Sequence, residues 1–210
     1  MQACNLNEKE VVCEAGTGSG VLTRELCKRA GHVVSYEIDK QLFNQAQSIQ
    51  SANLKLINRD LFSEQGLELD VFVSNLPYSK SRDAFEWLAT TKFNRAVVMV
   101  QKEFAEKLLA KPGEKNYRAI TAIASICFAC EPLFDVPANA FEPPPKVKST
   151  VLEIRQIRKM TRQQIRNVNL LFSKRNRKAS TVSAKMGLKA DFGDRRICHL
   201  KPEEIMRIAS

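Results

Sequence analysis

The sequence contains few of the residues that mark several large classes of protein. Aromatic residues make up 7% of the 210 residues, and histidine occurs only at His32 and His199. No uncharged apolar run approaches the roughly 18 residues that a membrane-spanning helix requires. The first ten residues also lack the apolar segment of a signal peptide. These features argue against a membrane or exported protein and predict a cytoplasmic one.

Metal-binding motifs are scarce as well. Cys127 and Cys130 form a C-x-x-C pair among six cysteines, but no second pair or histidine pair accompanies them. A structural zinc site requires four ligands. Most of the cysteines lie in apolar stretches, where a free thiol behaves as a small hydrophobic side chain. The sequence therefore predicts no metal site.

Positive charge is present in excess, but only at one end of the chain. The net charge is +10, and residues 155–210 contain 15 Lys or Arg against 4 Asp or Glu. A basic surface confined to one segment suggests a polyanionic partner, most often nucleic acid. A solvated helical face would have the same composition. A membrane-surface helix is disfavoured because the segment offers few aromatic residues.

The first 100 residues alternate short apolar runs with helical patterns, which is typical of a parallel α/β sheet. Strands are predicted at residues 11–13, 32–36, 54–57, 71–73, 96–100, 133–137 and 149–154. Helices are predicted at residues 20–30, 39–50, 81–90, 102–110 and 116–127. From about residue 157 the pattern is helical and basic without a strand. We therefore predict a domain boundary there.

Polar or glycine-rich segments follow four successive strands. The segment from Glu14 to Gly20 connects the first strand to the first helix, whose N-terminus supplies free amide donors. Glu37 ends the second strand, Asp60 follows the third, and Asn75 ends the fourth. The carboxyl ends of parallel strands lie at one edge of a sheet, where ligands bind in open α/β folds. This order predicts a nucleoside site.

The individual residues leave alternatives open. An acidic residue at the position of Glu37 commonly binds both ribose hydroxyls of a nucleoside. Asp60 could accept a hydrogen bond from an adenine amine or cap the following turn. The glycine spacing is G-x-G-x-G and not G-x-G-x-x-G, and the lysine of a P-loop is missing. The turn from Asn75 to Tyr78 suits a flat heterocycle with an exocyclic amine, although Asn and Pro are common in ordinary turns.

Together these segments resemble the motifs of the ribosomal RNA adenine dimethyltransferase family. The similarity covers nearly the whole chain and continues through Gln101-Lys102-Glu103, residues 108–113, Val136-Pro137, Phe141-x-Pro143-Pro144-Pro145-Lys146-Val147 and Phe172-Ser173-x-Arg175. It implies a Rossmann-like class I methyltransferase fold, with a mostly parallel seven-stranded sheet over residues 1–156. A small basic all-helical domain would occupy residues 157–210.

The resemblance also implies an activity. Members of the family use S-adenosylmethionine to place two methyl groups on N6 of each of two neighbouring adenosines. These adenosines lie near the 3′ end of small-subunit ribosomal RNA. The expected partner is that RNA within an assembling small ribosomal subunit, and the expected oligomeric state is a monomer.

Positions in the motifs assign roles to individual residues. The resemblance implies cofactor contacts at Glu14, Gly16, Gly18, Gly20, Glu37, Asp60 and Asn75. The target adenine would be held by Asn75, Leu76, Pro77, Tyr78 and Phe141, with the rings of Tyr78 and Phe141 on its two faces. RNA contacts are expected at Lys146, Lys148, Lys174, Arg175, Arg177 and Lys178.

One family segment is not matched, and other functions fit part of the pattern. A Gly-Gln-x-Phe-Leu-type motif covers the cofactor in the family, but the ten residues before Val11 do not match it. We therefore expect a shortened N-terminus or a less tightly held cofactor. The alternatives are a ribosome-assembly or nucleic-acid-binding factor with weak or lost methylation, a large-subunit RNA adenine methyltransferase, and an NAD-dependent dehydrogenase. Leu76 and the block at residues 141–148 argue against the large-subunit type.

Overall fold

The computed structural model describes residues 4–141, 147–185 and 192–210. The strands are Val11–Ala15 (β1), His32–Tyr36 (β2), Leu54–Ile57 (β3), Glu68–Asn75 (β4), Lys92–Gln101 (β5), Phe128–Val136 (β6) and Ser149–Gln156 (β7). The helices are Val21–Cys27 (α1), Lys40–Ala46 (α2), Ser81–Thr90 (α3), Lys102–Leu108 (α4), Ala119–Cys127 (α5), Arg162–Ser173 (α6), Ala179–Lys185 (α7) and Pro202–Ala209 (α8). Within these described ranges, no helix has the length and apolar character needed to cross a bilayer.

The strands form one seven-stranded sheet in the order β3-β2-β1-β4-β5-β7-β6. The pairs β1–β2, β1–β4, β2–β3 and β4–β5 are parallel. Strand β7 is antiparallel to both of its neighbours, β5 and β6. The predicted mostly parallel α/β sheet is therefore confirmed. The strand order reverses between β1 and β4, and this reversal opens a crevice at the carboxyl ends of the strands.

Side chains of the central strands alternate between two apolar layers. In β4, Val71 and Val73 join the same buried cluster as Leu26 of α1, whereas Phe72 belongs to the opposite cluster with Phe85 of α3. A parallel sheet is stable when helices cover both of its faces. The alternation therefore explains why the strands contain nearly continuous apolar runs.

Strands β4 and β5 are longer than the sequence predicts, because polar residues pair across their first halves. Glu68 lies opposite Lys92 in the register, and the two side chains form an ion pair of 2.9 Å. The apolar patterns at residues 71–73 and 96–100 identify only the buried parts of these strands.

Strand β6 begins directly after helix α5, ahead of the predicted start at residue 133. Pro132 lies within the strand, and its pairing with β7 is irregular between Pro132 and Phe134. Because β6 is an edge strand, the missing N–H of a proline is tolerated there. Helices α1 and α2 end at Cys27 and Ala46, before the predicted ends at residues 30 and 50.

The C-terminal helices share a buried core with the sheet. Leu171 of α6 belongs to the same cluster as the helices that cover one face of the sheet. The hydroxyl of the fully buried Tyr117 donates to the main-chain oxygen of Leu200 at 3.1 Å. Separation into domains at residues 1–156 and 157–210 stays a prediction, since this core is continuous across the boundary.

Candidate active site

The loop between β1 and α1 depends on three glycines in the left-handed conformation. Gly16, Gly18 and Gly20 have φ values of 82°, 54° and 76°, which glycine adopts without the steric cost of a Cβ atom. A Cβ at Gly16 or Gly18 would meet no atom within 4 Å, whereas one at Gly20 would lie 2.4 Å from Cδ1 of Ile49. Gly16 and Gly18 therefore leave open space for a ligand, while Gly20 allows α1 to pack against Ile49.

Glu14 lies beneath this loop and is fully buried. Its Oε2 accepts hydrogen bonds from Thr23 Oγ1 at 2.7 Å and from Ser35 Oγ at 2.6 Å. Its Oε1 is buried and has no hydrogen-bond partner among the residues described. Burial raises the pKa of this carboxyl to about 7, because desolvation outweighs the two hydroxyl hydrogen bonds.

The raised pKa of Glu14 predicts a pH-dependent effect of Glu14→Gln on stability. The pKa of this carboxyl is 4.5 in the unfolded chain and about 7 in the folded one, so the native state loses stability as pH rises through this window. The neutral glutamine avoids this loss. We expect the variant to be more stable than the wild type by about 3 kcal/mol at pH 8 and by less than about 1 kcal/mol at pH 5.

Urea unfolding of the protein alone at the two pH values measures this difference. Glu25→Gln is the control, because Glu25 is more exposed and forms a surface ion pair with Lys28. A stability difference that is the same at both pH values would show that folding does not raise the pKa of the Glu14 carboxyl above its value in the unfolded chain.

Glu37 follows directly after β2, and two backbone amides hold its carboxylate. Its Oε2 accepts from Gly18 N and its Oε1 accepts from Asp39 N, both at 2.9 Å. The side chain is 5% exposed, and its orientation is thereby set before any ligand binds. Asp60 caps the turn at residues 61–63, because its Oδ1 accepts from Phe62 N at 2.9 Å.

The Asn75–Tyr78 turn is anchored on both sides. Asn75 is the last residue of β4, and the N–H of the buried Leu76 donates to the main-chain oxygen of Met99 at 3.1 Å. The carbonyl of Pro77 accepts from Lys80 N at 2.8 Å.

The aromatic residue of this turn lies partly in solvent. Tyr78 is 37% exposed, and its hydroxyl lies 3.1 Å from Ser149 Oγ at the start of β7. Phe141, the expected second aromatic wall, is half-buried in the connection that leads to the same strand. The Tyr78–Ser149 contact therefore joins the turn to the start of β7, the strand that follows Phe141 along the chain.

The elements meet around a cavity of about 640 Å³ at the carboxyl edge of the sheet. Six residues expected from the sequence line it: Gly16, Gly18, Glu37, Asp60, Asn75 and Pro77. Five other expected residues are not part of its wall: Glu14, Gly20, Leu76, Tyr78 and Phe141. Glu14, Gly20 and Leu76 instead support the loop and the turn from behind.

Other wall residues were missed by the sequence reasoning. Ile38 and Val21 line the cavity and are 64% and 69% exposed, although both are large and apolar. Phe62 and Met99 add further apolar surface. Ile38 could have been found from its position, because it directly follows Glu37 at the end of a strand. Val21, Phe62 and Met99 carry no comparable signal in the sequence.

The expected RNA-contacting residues that the structure describes do not line the cavity, and they differ in exposure. Lys148, Lys174 and Arg177 are exposed, and Lys178 forms an ion pair with Asp194 at 2.6 Å. Arg175 is half-buried, and its Nε is buried without a hydrogen-bond partner in the described ranges. Lys146 lies outside the described residues. Lys174 and Arg177 are therefore the members of the 174–178 group best placed to meet phosphates.

The C-x-x-C pair spans the junction of α5 and β6. Burial raises the pKa of both Cys127 and Cys130 to about 12, so both thiols stay protonated at neutral pH. Among the residues that the structure describes, no cluster of His, Cys, Asp and Glu has the arrangement of a metal site.

Comparison of the sequence with known proteins identifies relatives over almost its full length. The family model described as "Ribosomal RNA adenine dimethylase" matches residues 1–200. The ribosomal RNA small subunit methyltransferase A of Thermotoga petrophila is 37% identical, over 86% of this chain and 67% of the relative. The probable ribosomal RNA small subunit methyltransferase A of Thermococcus gammatolerans is 32% identical, over 99% of this chain and 81% of the relative.

A solved structure has the same fold. The dimethyladenosine transferase from Plasmodium falciparum superposes with a TM-score of 0.78 at 22% sequence identity. The superposition covers 99% of this chain and 91% of the other. This similarity extends through the C-terminal helices as well as the sheet.

Proposed function

Because this chain belongs to the ribosomal RNA adenine dimethylase family, we propose that it transfers methyl groups from S-adenosylmethionine to N6 of adenosines in small-subunit ribosomal RNA. One observation from the structure supports this function most strongly. A single cavity is lined by the glycine loop, two acidic strand ends and the Asn75–Pro77 turn. These are the parts needed to hold a nucleoside cofactor beside an adenine amine.

The cavity suits the cofactor in shape and charge. Gly16 and Gly18 leave open space beside the backbone, and the volume of about 640 Å³ is within the usual range for small-molecule sites. The fixed carboxylate of Glu37 would accept hydrogen bonds from the ribose hydroxyls. The carboxylate oxygen of Asp60 that does not cap the turn would accept a hydrogen bond from the adenine amine. Ile38 would cover the adenine ring with its exposed apolar side chain.

When bound there, the cofactor supplies a methyl group that is already strongly electrophilic. The protein's task is therefore to present the adenine N6, which is a poor nucleophile because its lone pair is delocalised into the ring. The Asn75 side-chain oxygen would accept one N6 hydrogen and a neighbouring carbonyl the other. Since the Pro77 carbonyl already accepts from Lys80, the Leu76 carbonyl is the better second acceptor. Hydrogen bonds from N6 to the Asn75 side chain and to the Leu76 carbonyl would favour a more pyramidal nitrogen and orient its lone pair.

The target base must leave its stack to reach Asn75, and aromatic side chains reduce the cost of this step. Tyr78 is exposed at the end of the turn and offers one ring face. Phe141 would cover the other face from the connection before β7. The contact between the Tyr78 hydroxyl and Ser149 supports a fixed position for the Tyr78 ring.

The finer features of the function belong to the same proposal. The substrate would be two neighbouring adenosines near the 3′ end of the RNA, each receiving two methyl groups. The RNA would be part of an assembling small ribosomal subunit, and the protein would act as a monomer in the cytoplasm. The excess of 15 Lys or Arg over 4 Asp or Glu in residues 155–210 supports a polyanionic partner of this kind.

Incubation of unmethylated small ribosomal subunits with labelled S-adenosylmethionine tests the proposal directly. We expect label on two adjacent adenosines, found by mapping the modified nucleotides. Label in large-subunit RNA would instead identify a large-subunit methyltransferase. Binding of the subunit without cofactor binding or transfer would identify an assembly factor.

The exposed basic residues after α6 give a separate prediction. Replacing Lys174 and Arg177 with glutamine should lower the slope of log affinity against log salt by about 1.4, because each lost phosphate contact contributes about 0.7 for single-stranded RNA. The affinity of the variant for unmethylated subunits is measured across a salt series. Lys9→Gln with Lys55→Gln is the control, since it removes the same charge from exposed positions elsewhere. An equal salt slope for the Lys174/Arg177 variant and for the control would contradict the assignment of Lys174 and Arg177 as RNA contacts.

A further inference from the structure

Tyr36 lines the cavity of the candidate active site together with Asp60 and Leu61. It is the last residue of β2. Its main-chain oxygen accepts from Gly16 N at 2.8 Å and from Thr17 N at 3.3 Å. These bonds to the glycine loop fix the backbone of Tyr36 in the cavity wall.

The hydroxyl of Tyr36 has no hydrogen-bond partner among the residues that the structure describes. Tyr36 is 8% exposed, and its ring belongs to the buried cluster that contains Phe72 and Trp87. A buried tyrosine hydroxyl usually finds a partner. The oxygen does not belong to the fully buried atoms that lack a partner, so solvent reaches it. Because Tyr36 lines the cavity, a molecule bound in the cavity can reach this hydroxyl as well.

The Tyr36 hydroxyl is a hydrogen-bond donor at neutral pH. Burial raises the pKa of this phenol above its usual value, and the nearby Cys13 and Glu64 raise it further, whereas Arg59 lowers it. Arg59 and Glu64 form an ion pair of 2.8 Å with each other. Since the Arg59 guanidinium is committed to Glu64, the phenol O–H of Tyr36 is the side-chain donor available next to Asp60.

The edge of adenine that carries the amine presents a donor and acceptors side by side. In the proposed site, a carboxylate oxygen of Asp60 accepts from the amine. An ionised carboxylate has no proton to donate to a ring nitrogen. The ring nitrogens N1 and N7 flank the amine, and both accept hydrogen bonds. A protonated hydroxyl beside Asp60 supplies the donor that this edge requires.

We propose that the Tyr36 hydroxyl donates a hydrogen bond to one of the two ring nitrogens, N1 or N7, that flank the amine of the cofactor's adenine. Asp60 and Tyr36 then recognise the base together, one accepting from the amine and the other donating to its neighbour. Tyr36 thus determines cofactor specificity without touching the atoms that react. The inference rests on the proposed function and adds a selective contact to the cofactor site.

Tyr36→Phe tests the inference, because it removes the hydroxyl and keeps the ring. The probes are S-adenosylhomocysteine and its 1-deaza, 7-deaza and 3-deaza analogues, in which C–H replaces one ring nitrogen, and isothermal titration measures their affinities. We expect Tyr36→Phe to bind S-adenosylhomocysteine about fivefold more weakly than the wild type does, the usual effect of one hydrogen bond. The wild type should lose about fivefold with either the 1-deaza or the 7-deaza analogue. Tyr36→Phe should bind that analogue and S-adenosylhomocysteine equally, within about twofold.

Two controls isolate the hydrogen bond. The 3-deaza analogue controls for the altered electronic structure of the ring, and its affinity relative to S-adenosylhomocysteine should be the same in both proteins. Tyr117→Phe makes the same chemical change away from the cavity, where the hydroxyl donates to the main-chain oxygen of Leu200. It should change the affinity for S-adenosylhomocysteine by less than about twofold. It should also lower the Tm of the unliganded protein, whereas Tyr36→Phe should not, since no hydrogen bond within the protein is lost.

The outcomes separate a cofactor contact from a structural role. Equal discrimination against the 1-deaza and 7-deaza analogues by the wild type and by Tyr36→Phe would overturn the inference. A lower Tm of unliganded Tyr36→Phe at unchanged affinity for S-adenosylhomocysteine would also overturn it, because the hydroxyl would then support the fold. If the wild type bound the probes as expected but methylated no RNA, the proposed function would be rejected and the assignment of Tyr36 would hold, since probe binding does not depend on transfer.

Discussion

Replacing Asn75 with alanine is expected to lower kcat for methyl transfer by about 100- to 1,000-fold, the usual cost of removing one group that stabilises the transition state. The side-chain oxygen of Asn75 would accept an N6 hydrogen only when the base is in place. Alanine keeps the main-chain N–H of Leu76 bonded to Met99, so the turn should persist. Single-turnover transfer from labelled cofactor measures the loss.

The control for this variant is Asn94→Ala, at the opposite edge of the sheet. Asn94 is exposed, and its side-chain amide makes a long contact of 3.5 Å with Asp70. We expect its kcat to equal that of the wild type. The affinity of the Asn75 variant for RNA should change less than about twofold. A comparable loss of RNA affinity would mean that Asn75 shapes the site and does not act on the reacting amine.

Replacing Glu37 with glutamine should weaken S-adenosylmethionine binding by about 100-fold, since hydrogen bonds to a charged group contribute about 1.5–3 kcal/mol. Both carboxylate oxygens of Glu37 already accept from backbone amides, at Gly18 and Asp39. The NH₂ group of glutamine would face one of these N–H donors. The substitution therefore removes an acceptor for ribose and also disturbs the loop that holds the cofactor.

Isothermal titration with S-adenosylmethionine measures this loss, and Glu25→Gln is the matched control. Glu25 lines the same cavity and carries the same charge, but it pairs with Lys28 at the surface. Replacing Glu25 with glutamine should change the cofactor affinity by less than about threefold, because exposed ion pairs contribute little. Equal effects of the two substitutions would show that the cavity responds to overall charge and not to the fixed geometry of Glu37.

Much of the candidate site could be predicted because its residues follow strands in order along the chain. Gly16, Glu37, Asp60 and Asn75 each lie within three residues of the end of an apolar run, and parallel pairing places the ends of such runs together. Asp60 shows the limit of this reasoning. Its two possible roles, as a ligand acceptor and as a cap, are compatible, since one oxygen caps the turn and the other remains for a ligand.

Other features had no local signal. The burial of Glu14 depends on Thr23 and Ser35, which meet it only when α1 and β2 pack together. Arg118 lies far along the chain from Tyr78, yet both line one cleft. Desolvation and side-chain contact over such separations depend on how helices pack against the sheet, which periodicity does not encode.

The sequence by itself determined the α/β class, the family and the sheet edge at which the site forms. It could do so because strand order, the glycine turn and the Asn75–Tyr78 turn are local or sequential features. Only the tertiary structure decided which motif residues face the cavity and which support it, and only the structure formed the cleft beside Tyr78. The physical reason is that burial and charge compensation are properties of the packed molecule, since each depends on neighbours contributed by distant segments of the chain.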